Sequence, residues 1–189
     1  MNPTITDKMT GRRQILKGAG VLSAGGILAA LIPTTAHADA GGQTGYQFLD
    51  ISDGKGGLTG KSIFITGVGM IGSEVKGGGN YAIFDTATST KAFDFGSWSA
   101  KKLVSFTNVG TVVADFLGAT LTMDVILESA TGGEAKATLA VNCDGGVVSP
   151  NGGNGSGEVL TLVIENGPFA GTFGPGSVLP FNVTIFIAP

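Results

Sequence analysis

From residue 40 onward, apolar and polar residues alternate along the chain instead of recurring every three or four places. In Leu121 to Glu128, Leu121, Met123, Val125 and Leu127 share one face, and Thr122, Asp124 and Glu128 share the other. Leu160, Leu162 and Ile164 oppose Thr161 and Glu165 in the same way, and Phe181, Val183, Ile185 and Ile187 oppose Asn182 and Thr184. A two-residue period is that of a strand with one buried face. It predicts strands over 46–51, 61–71, 80–85, 91–107, 111–128, 135–143, 158–166 and 179–188. Ala100 to Thr107 is less regular. Lys102, Val104 and Phe106 fall opposite Lys101, Leu103, Ser105 and Thr107, which predicts a strand covered on both sides.

Glycine punctuates these runs at 54–60, 77–79, 132–133, 145–146 and 151–157, where turns are expected. No stretch holds a helical period for three turns, and no repeat of solenoid or propeller length occurs. The expected fold is all-β: an antiparallel β-sandwich or a small β-barrel of about eight strands joined by Gly-rich turns. Pro150 to Gly157 reads as a hairpin tip, because too little chain follows it to fold alone.

The N-terminal residues follow another pattern. Lys8, Arg12, Arg13 and Lys17 form a basic cluster, and Gly18 to Ile32 carries no charge but is too short and Gly-rich to span a bilayer. Pro33 ends that run, and Ala36-His37-Ala38 fits an A-x-A cleavage site. The heptad Gly11-Arg12-Arg13-Gln14-Ile15-Leu16-Lys17 resembles the twin-arginine (Tat) export signal, with Gly11 in place of Ser or Thr and Ile15 in place of Phe. The resemblance implies that the Tat translocase reads Arg12, Arg13, Leu16 and Lys17, and that residues 1–38 are removed after Ala38. Residues 39–189 would then be exported already folded, as one all-β domain with no stable membrane span. Their destination would be the extracellular space, the cell envelope or the periplasm.

Composition narrows the chemistry open to residues 39–189. They hold seven lysines and thirteen acidic residues, a net charge of −6, with no arginine and no histidine. This excludes Ser-His-Asp and Cys-His relays, His-based metal sites and arginine clamps. The negative balance argues against nucleic acid and anionic membrane surfaces. Cys143 is the only cysteine, so no internal disulfide forms. It shares a face with Ala137, Leu139 and Val141, which predicts a buried structural thiol.

Gly67-Val68-Gly69-Met70-Ile71-Gly72 matches the G-x-G-x-x-G spacing of dinucleotide sites. That motif needs a helix opening on its last glycines, whereas Ser73 to Lys76 runs into Gly77-Gly78-Gly79. Glycines within a strand instead predict a bulge or close packing, and no cofactor is expected. Asp50 and Asp53, ahead of Gly54, are candidate calcium ligands without EF-hand spacing. Asn142, Asp144, Asn151, Asn154 and Glu158 place similar oxygens around a second loop.

Asp85 and Asp94 could lie on neighbouring antiparallel strands near Tyr81 and Trp98. Paired carboxylates beside aromatics suit glycoside acid/base chemistry, with Tyr81 and Trp98 as ligand-stacking residues. The plainer expectation is that Trp98 fills the core and both aspartates cap the connection Thr86 to Lys91. The segment around Gly77 to Asp85, with Gly96, Trp98, Ala100, Lys101, Leu103, Ser105 and Phe106, resembles a pattern of uncharacterised exported bacterial proteins, which implies no activity.

Together these features lead to an exported, non-enzymatic β-domain with a ligand-binding, surface-binding or structural role at the cell envelope. A carboxylate-driven enzyme (a glycosidase-like hydrolase or a barrel isomerase or cyclase) using Asp85 or Asp94 is the alternative. A calcium-dependent adhesion module is the second. An apolar cavity with convergent polar groups would favour a ligand or an enzyme, and a filled core would favour surface adhesion.

Overall fold

The computed structural model describes residues 42–88, 92–113, 115–143, 158–175 and 182–189. The Tat heptad, the cleavage site, Asp144, Asn151 and Asn154 lie outside the described residues.

Among the described residues nine strands form, in chain order β1 (Thr44–Gly54), β2 (Lys61–Ile71), β3 (Val75–Asp85), β4 (Ala92–Val113), β5 (Phe116–Ser129), β6 (Glu134–Cys143), β7 (Glu158–Ile164), β8 (Gly171–Pro175) and β9 (Asn182–Ile187). A 3-10 turn, Gly56–Leu58, joins β1 to β2. Each of the first seven strands pairs antiparallel with the next, and β8 pairs back onto β1. The result is a closed eight-stranded antiparallel barrel with one extra strand, and of the two expected architectures the barrel is the one adopted.

The extra strand completes the seam. One edge of β1 is paired throughout with β2. On its other edge β8 reaches only Ser52 to Gly54, while β9 pairs with Gly45 to Asp50. The far end of β9 pairs with Phe116 and Leu117 of β5. Closure in this way leaves few strand edges unpaired.

The inner wall follows the predicted alternation on most strands. Leu121, Met123, Val125 and Leu127 of β5 and Leu160, Leu162 and Ile164 of β7 are all buried. Cys143 is buried with Ala137, Leu139 and Val141. Three expectations fail, each for a physical reason. First, Val183, Ile185 and Ile187 face outward and Thr184 and Phe186 face in. The β1 register decides this, because Thr184 lies opposite Phe48, whose side chain is in the core. Second, Ala100 to Thr107 is not covered on both sides: Lys101, Lys102, Val104, Ser105 and Thr107 are exposed.

The pairing of β4 with β5 slips four times between Ala100 and Val113, each time with the extra residue on β4. Each bulge resets the alternation. The residues packed against the core are therefore Ala100, Leu103 and Phe106, three apart rather than two. Third, Gly77-Gly78-Gly79 is not a turn but the first half of β3, and Gly171–Pro175 is a strand that lacks a two-residue pattern.

Those strand glycines make room for aromatic rings. Tyr46, Phe48 and Trp98 stack in series inside the barrel, with centroids 6.3 and 5.7 Å apart and planes within 11° and 18°. A Cβ on Gly67 would lie 2.5 Å from Phe48 Cε1, and one on Gly69 would lie 2.5 Å from the Tyr46 hydroxyl. A Cβ on Gly79 would meet Trp98 Nε1 at 2.9 Å. Trp98 Nε1 donates to the Thr66 carbonyl at 2.7 Å, so the indole enters the core with its polar atom satisfied. Gly67 and Gly69 of the G-x-G-x-x-G run thus serve packing in β2, and a three-residue connection, Gly72 to Glu74, rather than a helix follows the strand.

Candidate functional site

Two ladders of inward-facing residues cross the wall from β1 to β4. Asp50 lies opposite Ile65, Ile65 opposite Tyr81, Tyr81 opposite Gly96, and Gly96 opposite Ser129 of β5. The neighbouring ladder runs Ser52, Ile63, Ile83, Asp94. Residues directly opposite in an antiparallel pair present their side chains on the same face. Polar groups therefore stand at both ends of an isoleucine-lined stretch of inner wall.

At the β4 end, the Tyr81 hydroxyl donates to Asp94 Oδ2 at 2.9 Å and the Ser129 hydroxyl donates to Asp94 Oδ1 at 2.6 Å. Thr131 adds a hydroxyl 2.9 Å from Ser129 Oγ. Burial raises the Tyr81 phenol above its ordinary value, and the hydrogen bond to Asp94 and its negative charge raise it further. The tyrosine is held as a neutral donor and the carboxylate as its acceptor.

At the β1 end, Asp50 and Ser52 are both 0% exposed. Their position follows from alternation, since Tyr46, Phe48, Asp50 and Ser52 occupy successive inward places on one strand. Ser52 Oγ lies 2.5 Å from Asp50 Oδ1 and 3.1 Å from the Leu160 carbonyl of β7. Thr184 of β9, diagonal to Asp50 across the β1–β9 ladder, is 3% exposed. Its backbone N–H donates to Glu158 Oε2 at 2.9 Å, whereas its hydroxyl oxygen has no hydrogen-bond partner among the described residues. The group sits at the seam, where β8 gives way to β9 along the edge of β1.

The structure brings some sequence-nominated residues together and separates others. Tyr81 and Asp94 are in direct contact. Asp85 accepts from the Ala87 and Thr88 backbone N–H groups and the Thr88 hydroxyl, so it caps the turn after β3. Asp94 plays no part in that turn and bonds to Tyr81 and Ser129 instead. Trp98 lies in the aromatic stack with its Nε1 engaged by Thr66.

Asp50 and Asp53 point to opposite faces of β1, the first inward and the second toward Ser62, whose hydroxyl donates to it at 2.9 Å. They do not converge on a common ion, and among the described residues no three His, Cys, Asp or Glu side chains do. Glu158 accepts from Thr184, and Asn142 accepts from the Thr120 hydroxyl at 2.8 Å. Ser52 and Thr184 were not nominated from sequence. The available signal for Ser52 was its placement, with Asp50, on the same strand face as Tyr46 and Phe48.

Compared with protein-family models, curated proteins and solved structures, the chain matches none. Among the described residues no helix is long and apolar enough to cross a membrane.

Proposed function

We propose that residues 39–189 are an exported, non-enzymatic β-barrel that binds a small ligand against the inner-wall patch of Asp50, Ser52 and Thr184. The observation that carries this reading is the Thr184 hydroxyl, which is 3% exposed with no hydrogen-bond partner among the described residues. Burying a hydroxyl without a bond costs about 1–3 kcal/mol, and such groups mark places where a further molecule supplies the bond. The Tyr46–Phe48–Trp98 stack fills the neighbouring stretch of the lumen, which confines the ligand to the seam side. Export rests on the resemblance of Gly11 to Lys17 to a Tat signal, with cleavage after Ala38.

The test is native mass spectrometry of protein secreted by its own host, followed by thermal melting with a panel of small oxygen-bearing molecules. A bound mass, or a rise in melting temperature lost in Thr184→Val, is the expected result. A protein with no bound mass and no stabilising compound would turn the assignment toward a structural or surface role. The N-terminus of the secreted protein should begin at Asp39.

The 2.9 Å bond between Tyr81 and Asp94 favours a second reading, in which Asp94 serves as an acid/base group. Turnover on a screen of glycosides, esters and isomerisable metabolites, abolished by Asp94→Asn, would establish it over the first.

A further inference from the structure

Where β3 and β4 begin to pair, β4 gains one residue on its neighbour. Ile83 lies opposite Asp94 and Phe84 opposite Ala92, so Phe93 is the extra residue of a β-bulge. A bulge of this kind re-aims the side chain it carries. The Phe93 ring reaches the β7–β8 connection and meets Phe169 there, with centroids 6.5 Å apart and planes inclined at 44°. Phe169 rests against the core, whereas Phe93 is 37% exposed. The pair therefore stands at the rim of the barrel, at the end where β1 turns into β2 and β5 into β6.

An ammonium already lies on this pair. Lys61, the first residue of β2, holds Nζ 5.7 Å from the centroid of the Phe93 ring, within the range of a cation–π contact. Among the described residues no hydrogen bond or ion pair holds that ammonium elsewhere. A ring face is the negative part of the aromatic quadrupole, so it draws a cation and not an anion.

The charges around the rim share that preference. Asp94 follows Phe93 in the chain and accepts hydrogen bonds from Tyr81 and Ser129. Asp53, Asp85, Glu128, Glu134 and Glu165 lie at strand ends on the same side of the barrel. The described lysines there are Lys55, Lys61 and Lys136, and Lys55 is bonded to the Pro175 carbonyl. A surround with this balance attracts cations and repels anions.

We infer that the Phe93–Phe169 pair, beside Asp94, is a binding site for a small quaternary ammonium ion, and that Lys61 occupies it in the free protein. A single cation–π contact at the surface is weak and the lysine stem is flexible, so a ligand cation displaces Lys61 easily. A quaternary ion spreads its charge over methyl groups that pack on two rings at once, which a primary ammonium does not. Phosphocholine is disfavoured, because its phosphate would meet the acidic rim. The site is independent of the Asp50–Ser52–Thr184 patch and of what that patch binds.

The test titrates choline into the full chain labelled with carbon-13 lysine. The Lys61 ε-methylene resonance, assigned by its loss in Lys61→Ala, should lie upfield of the other lysines because it sits over a ring. Choline should return it to the ordinary position. Lys61→Ala should bind choline about two- to fivefold more tightly than the native protein, the equivalent of one surface cation–π contact. Phe93→Leu should abolish binding, with Phe169→Leu as the second variant should the first not fold. Dimethylbutanol, the neutral isostere with carbon in place of the choline nitrogen, should bind more weakly than choline, and so should phosphocholine. A Lys61 resonance that choline does not move, or no saturable choline binding by Lys61→Ala, would overturn the site. Equal affinity for dimethylbutanol would overturn the cation assignment, and equal affinity for phosphocholine the role of the acidic rim.

Discussion

Gly67→Ala should act as a wedge in the aromatic stack. A Cβ at this position would sit 2.5 Å from Phe48 Cε1 and equally close to the Trp98 ring. Ordinary carbon–carbon contact is about 3.5–4.0 Å, so at least one ring must move by about 1 Å. Neither moves cheaply, since Phe48 and Trp98 are each 2% exposed and Trp98 is tethered through Nε1 to Thr66. Overpacking of this kind costs about 1–3 kcal/mol, and loss of the glycine's unfolded-state freedom returns about 0.4–1 kcal/mol. Because both faces of the wedge meet buried rings, the upper end applies, leaving a net loss of about 2 kcal/mol. For a domain of this size that corresponds to a fall of about 4–8 °C in melting temperature.

The assay is convenient because Trp98 is the only tryptophan in the chain. Urea unfolding followed by its fluorescence reports stability from within the stack. Gly57→Ala, where a Cβ would meet nothing within 4 Å, is the control and should change little. Combining Gly67→Ala with Phe48→Leu should relieve part of the clash, so the double variant should be less destabilised than the sum of the two by about 1 kcal/mol. A Gly67→Ala protein as stable as the native one, or additive losses in the double variant, would refute the packing account of these glycines.

Alkaline pH should weaken the fold. Tyr46 and Tyr81 are the only tyrosines, and burial raises both phenols above 10, with Asp94 contributing at Tyr81. A phenol that binds its proton more tightly when folded contributes stability that is full below pH 10 and is lost as the pH rises toward its folded value. Phenolate absorbance should therefore appear together with unfolding, and Tyr81→Phe should flatten the loss; phenolate forming in an intact fold would contradict this. Trp98→Phe keeps a ring in the stack but leaves the Thr66 carbonyl without its donor, at a cost of about 1–3 kcal/mol in urea unfolding. Calcium should leave the melting temperature unchanged, because Asp50 and Asp53 lie on opposite faces of β1; a chelator-reversible rise would contradict that geometry.

Much of the fold was legible in the sequence because strand alternation is local. Leu121 to Glu128 and Leu160 to Ile164 declare their inward faces residue by residue, and the missing helical period excludes other classes. Alternation misleads where a bulge adds a residue, as in Ala100 to Thr107, and where the more apolar face of a strand is not the inward one, as in β9. In β9 only the pairing of Thr184 with Phe48 decides which face turns inward. Tyr81 and Asp94 were nominated from sequence and do meet, because consecutive strands joined by a short turn are bound to pair.

The sequence by itself determined the secondary structure class, the absence of histidine and arginine from residues 39–189, and the resemblance of residues 11–17 to an export signal. Only the tertiary structure decided that the strands close into a barrel, and that closure governs the candidate site. Ser52 reaches Leu160, which is 108 positions away, and Thr184 lies diagonal to Asp50 on a strand from the end of the chain. Such contacts depend on how the sheet meets its own first strand. That register is set by the packing of the whole interior, and no local stretch of sequence specifies it.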